Sequence, residues 1–103
     1  MSDPKQQPQR KYASFPLSFR DPWEEQDVEL SFRFAKPTTT EVKRLQDTAG
    51  RNAAQAARNL LLATVHPEDK DRLVSVIEDY PGVVTTYSSA IIKAIGISAD
   101  TGN

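Results

Sequence analysis

Residues 28–41 read Val-Glu-Leu-Ser-Phe-Arg-Phe-Ala-Lys-Pro-Thr-Thr-Thr-Glu, and within this stretch the hydrophobic pattern changes from a strand's to a helix's. Val28, Leu30, Phe32 and Phe34 alternate with Glu29, Ser31 and Arg33, the period of a strand buried on one face. Pro37 then breaks the pattern, and Thr38 with Glu41 three positions later has the signature of a capping box. A helix beginning there carries Val42, Leu45 and Ala49 on one stripe and stops at Gly50.

On the N-terminal side, Phe15, Leu17 and Phe19 alternate with Pro16 and Ser18 and read as a second strand. The connection through residues 21–27 is short enough to make the two strands an antiparallel hairpin. Pro16 has no N–H to donate, which places the first strand at a sheet edge. The second strand has no such protection. Its outer edge is open to pairing with another chain, or is covered by the N-terminal arm or a helix. An isolated hairpin is marginal in water, so its apolar face has to lie on something else.

The C-terminal side supplies that support. Asn52 can cap a helix in which Ala53, Ala54, Ala56, Ala57, Leu60, Leu61, Leu62, Ala63 and Val65 are apolar nearly all round, the composition of a central helix. His66 and Pro67 stop it and restart the chain, with Glu68, Asp69 and Asp71 where a helix N-terminus favours negative charge. Leu73, Val76, Ile77 and Tyr80 then keep helical spacing up to Pro81-Gly82, and Val84, Tyr87, Ala90, Ile91, Ala94 and Ile95 form the last stripe before Gly96. The expected fold is α+β and mainly helical: an N-terminal β-hairpin packed on a bundle of about four short antiparallel helices. Residues 1–12, rich in glutamine and proline, read as a disordered arm, 13–97 as one domain, and 98–103 as a flexible tail.

Composition narrows the function. The 103 residues carry 13 Lys and Arg against 14 Asp and Glu, so the whole-chain field that draws proteins to nucleic acid or anionic membrane is missing. With no cysteine and one histidine, thiol catalysis, disulfides and a Cys-zinc site are excluded, and neither a metal nor a cofactor is expected. The N-terminus has no apolar signal-like run and no stretch suits a membrane span, which points to the cytoplasm. His66 has no nucleophile or carboxylate at catalytic spacing and reads as a turn residue. No residue set nominates a reaction.

Two surfaces stand out. Asp21, Glu24, Glu25, Asp27 and Glu29 surround the only tryptophan, Trp23, with no basic residue between Arg20 and Arg33. This loop is either a recognition tip or a solvated turn whose tryptophan folds back over the sheet. Lys36, Lys43, Arg44, Arg51 and Arg58 gather on the first two helices, but residues 36–103 hold acids and bases in equal number, which weakens a nucleic-acid reading.

The string Glu29-Leu-Ser-Phe-Arg-Phe-Ala-Lys-Pro37, the segment Glu41–Leu45, the Ala-Ala-Arg-Asn-Leu-Leu-Leu run of 56–62, and Glu78-Asp-Tyr-Pro-Gly82 leading into Ile91-Ile-Lys-Ala-Ile-Gly96 resemble the small tail assembly chaperones of bacteriophages and prophages. The resemblance covers residues 28–96 and implies a noncatalytic protein of the host cytoplasm. Such a protein binds the long tape measure protein, helps tail tube proteins assemble around it, commonly self-associates into a homo-oligomer, and often has a longer frameshifted form. Candidate contacts are Trp23, Val42, Leu45, Tyr87 and Ile91, with the core as the ordinary place for each apolar stripe. A structural or adaptor component of a phage particle, and a small DNA-binding regulator, are the competing readings.

Overall fold

The computed structural model describes residues 10–96, and a two-stranded antiparallel hairpin followed by four helices fills them. β1 is Tyr12–Asp21 and β2 is Gln26–Ala35, with Phe15 opposite Phe32, Leu17 opposite Leu30 and Phe19 opposite Val28. The helices are α1, Thr39–Ala49; α2, Ala53–Thr64; α3, Lys70–Asp79; and α4, Val83–Ala94. A single 3-10 turn, Pro67–Asp69, leads into α3. The expected arm differs in extent, because β1 already starts at Tyr12 and Arg10 is fastened to a helix. Residues 1–9 and the expected tail 98–103 lie outside the described residues.

The caps follow the sequence pattern closely. Thr38 accepts a hydrogen bond from the Glu41 N–H while the Glu41 carboxylate accepts one from the Thr38 N–H, so both members of the capping box are made. Asn52 accepts from the Gln55 N–H and starts α2. Two glycines divide the work of ending helices differently than expected. Gly96 turns left-handed after α4 at φ +84°, whereas Gly50 stays right-handed at φ −63° and lets the chain run straight on into the α2 cap.

The core lies where the base of the hairpin meets α2, α3 and α4. Phe32, Leu61 and Leu73 are fully buried, and Phe34, Tyr87 and Ile91 are 1% exposed. Phe32 meets Tyr87 edge to face at 5.7 Å, and Tyr87 also tilts against Phe34 at 5.3 Å. α1 is different: it packs on α2 yet buries no residue completely.

Tyr87 carries an anomaly. Its hydroxyl is buried without a hydrogen-bond partner among the described residues, and burial pushes its pKa up to about 12. An unsatisfied buried hydroxyl costs about 1–3 kcal/mol, so Tyr87→Phe should leave neutral-pH stability unchanged or raise it by about 1 kcal/mol. The folded-state pKa is the raised one, so the wild-type loses stability as pH climbs from about 10, where the unfolded tyrosine ionises. Between pH 10 and about 12 the Phe variant should therefore outlast the wild-type in urea denaturation.

Both edges of the small sheet are closed to a further strand over part of their length. The Arg33 N–H donates to Asp69 at 2.9 Å and the Arg33 carbonyl accepts from the His66 N–H at 2.8 Å, so residue 33 points its backbone groups away from β1. These directions alternate along a strand, so Ser31 points the same way, and its carbonyl accepts from Arg72 at 2.8 Å. Pro16 lies opposite Ser31, which puts its missing N–H on the free side of β1, at no cost to the ladder. A helix and turn thus cover the base of β2, one of the two alternatives its sequence allowed.

Candidate functional site

Three surface features are built by this fold: the hairpin tip and two apolar grooves near the hairpin's base. The tip is a four-residue connection, Pro22–Glu25, between the paired residues Asp21 and Gln26. Asp21 before Pro22 makes the tight turn expected of such a pair: its carboxylate accepts from the Trp23 N–H at 2.9 Å and the Glu24 N–H at 3.1 Å. The other carboxylate oxygen accepts from the Tyr80 hydroxyl at 2.7 Å, and Phe19 meets the Tyr80 ring edge to face at 5.0 Å. These donors hold the Asp21 carboxyl below its usual range, the Tyr80 hydroxyl first among them. The tip is therefore tied to the end of α3. Glu25 completes the turn in the left-handed region at φ +55°.

Trp23 does not fold back over the sheet. It is 89% exposed, and its neighbours Glu24 and Glu25 are exposed as well. The reason is the Asp21 turn, which directs the following two residues outward, away from the apolar face of the hairpin. An exposed indole on an anchored loop loses little freedom on binding, which is what an interface anchor requires.

The first groove runs between α1, α2 and α4. It encloses about 280 Å³ and is lined by Pro37, Val42, Leu45, Ala49, Leu60 and Ile92, together with Gln46 and Ile95. The second groove, also about 280 Å³, lies at the base of the hairpin. Tyr12, Phe15 and Phe34 form its aromatic wall, Ile91 and Ile95 its floor, and Lys11 and Lys36 are among its lining residues, with no carboxylate. A third depression, between α1 and α2, is more polar and sets Glu41 beside Arg44. At the base, Arg10 forms a two-point ion pair with Glu41, at 3.0 and 2.7 Å, and also donates to the Lys36 carbonyl at 2.9 Å.

Of the sequence-nominated contacts, Trp23 is exposed and Val42 and Leu45 are half-buried in the first groove. Tyr87 and Ile91 are core residues, each 1% exposed, because α4 turns that stripe onto Phe32 and Phe34. They have almost no surface to offer a partner while the domain is folded. The sequence pattern passed over Tyr12 and Lys11 and took Lys36 only as one of a basic set; the three flank two separate strand ends and meet only in the folded chain. Lys36, Lys43, Arg44 and Arg51 are exposed and Arg58 half-exposed. His66 is a turn residue, its Nδ1 accepting from the Glu68 N–H at 3.1 Å and its ring against Tyr12 at 4.6 Å. Among the described residues no three acidic or histidine side chains gather to hold a metal ion, and no helix is long and apolar enough to cross a membrane.

Fold and surface together define a small, mainly helical α+β domain with a projecting acidic hairpin. Its backbone is similar to the structure of an uncharacterised protein from Bacillus stearothermophilus, with a TM-score of 0.70 over 84% of each chain at 22% identity. Over residues 11–103 the chain belongs to the family described as a domain of unknown function, DUF6848. No curated protein matches it.

Proposed function

We propose that this domain is a noncatalytic, tail assembly chaperone-like protein that works in the host cytoplasm and binds the tape measure protein while tail tube proteins assemble. The observation that carries the reading is the first groove. Val42, Leu45, Ala49, Leu60 and Ile92 line an open apolar channel between helices, of the kind that takes the apolar face of an amphipathic helix. A tape measure protein expected to be long and helical offers such faces along its length. Holding them needs apolar area and no reacting group.

The experiment uses the purified chain and overlapping tape measure fragments from the same genome. At least one fragment should bind and stay soluble in its presence. Val42→Glu together with Leu45→Glu should weaken that binding by about tenfold or more, because a charge would be buried against the client's apolar face. Both residues are half-buried, but Leu45 packs against the core and Val42 does not, so Val42→Glu alone should weaken binding with little change in the melting temperature. Failure of every fragment to bind would sink the reading.

A further inference from the structure

We infer that the hairpin tip of one copy docks in the groove at the hairpin base of a second copy, so that the chains associate head to tail. Two large hydrophobic side chains are notably exposed among the described residues: Trp23 at 89% and Tyr12 at 37%. The first is the tip. The second is a wall of the basal groove, beside Phe15 and Phe34. Trp23 has no aromatic partner among the described residues, and Tyr12, whose ring tilts against His66 at 4.6 Å, still leaves 37% of its surface exposed.

Charge matches the same way. Glu24 and Glu25 flank the indole at the tip, while Lys11 and Lys36 line the basal groove without an acidic neighbour in the lining. Seating Trp23 between Tyr12 and Ile95 brings the two carboxylates towards the two ammonium groups. That arrangement favours this orientation and disfavours tip against tip or groove against groove. A groove of about 280 Å³ is large enough for one aromatic side chain.

Geometry excludes satisfaction within one molecule. The tip and the groove lie at opposite ends of ten-residue strands, roughly 30 Å apart at the usual rise per residue. A contact between unlike surfaces at opposite ends leaves a free tip and a free groove after every addition. It yields a ring if the rotation closes and an open filament if it does not. This inference does not rest on client binding, and it is tested with the chain alone.

Sedimentation and light scattering over rising concentration, up to about 1 mM, where weak specific association saturates, should show masses growing beyond two chains and shrinking with added salt. The emission of the sole tryptophan should move to the blue over the same range. Trp23→Ala should weaken association by roughly thirtyfold or more, the usual effect of truncating an interface aromatic anchor. Lys11→Glu with Lys36→Glu should do the same, and all these positions are exposed, so unchanged circular dichroism is expected. Mixing the two variants is the decisive arm: one retains a working groove and the other a working tip, so they should form a complex of two chains and grow no further. A wild-type chain that stays monomeric at the highest concentration, an emission maximum that ignores association, or a mixture that never pairs would each overturn the inference.

Discussion

Phe32→Ala is expected to remove about 4 kcal/mol of stability, roughly half of what a domain of this size possesses. Phe32 is fully buried, meets Tyr87 edge to face and Phe34 at 6.4 Å, and carries the Arg72 guanidinium over its ring at 4.2 Å. It is fully buried between the hairpin and the helices, so the truncation opens a cavity and removes a cation–π contact together. Thermal melting should shift down by roughly 20 °C. Leu30→Ala, one alternation further out and only half-buried, should cost well under half as much. Equal losses at the two positions would show that the docking of the hairpin does not depend on its base.

Asp69→Asn is expected to cost about 2–4 kcal/mol through a different physical route. The Asp69 carboxylate is 6% exposed and accepts from the Arg33 N–H at 2.9 Å, Nε at 3.1 Å and Nη2 at 2.9 Å, with Arg72 at 3.7 Å. The Arg33 hydrogen bonds hold its carboxyl far below the usual carboxylate range. A depressed folded-state pKa means that the stabilisation is complete above the unfolded value of about 4 and is lost as pH falls below it. The difference between wild-type and Asn variant should therefore be full at neutral pH and shrink steadily below pH 4. Asp21 and Glu41 are shifted in the same direction by Tyr80 and Arg10, so acid weakens the hairpin's attachment at its tip and its base together. A gap between wild-type and variant that stayed constant from pH 7 to 3 would exclude the mechanism.

The periodic part of the fold was legible because each element reports its own buried face. Leu17 and Phe19, Leu30 and Phe32, Leu73 and Ile77 all sit on the faces that their spacing assigns. What periodicity cannot supply is where an exposed or polar group ends up. Asp69 reads as an ordinary acid at a helix start, and only the packing of the turn against β2 turns it into the acceptor for Arg33. Trp23 belongs by average behaviour to a core edge, but a three-residue turn geometry set by Asp21 overrides that average. The stripe containing Tyr87 and Ile91 looked no different from the one containing Val42 and Leu45. The difference is that the α4 stripe meets Phe32 and Phe34 of the hairpin, whereas α1 packs chiefly on α2 and buries nothing completely. The basal groove was not legible because Lys11 and Lys36 are far apart in the chain and meet through strand pairing.

The closure of the sheet edges has a consequence during synthesis. Pro16 protects the free side of β1 as soon as the hairpin forms. The groups that cover β2, His66, Asp69 and Arg72, follow roughly thirty to forty residues later, an interval of a few seconds at ordinary translation rates. For that interval the nascent chain presents one blocked edge and one open one. The proline thus halves the surface on which two neighbouring nascent chains on one polysome could pair before their helices exist.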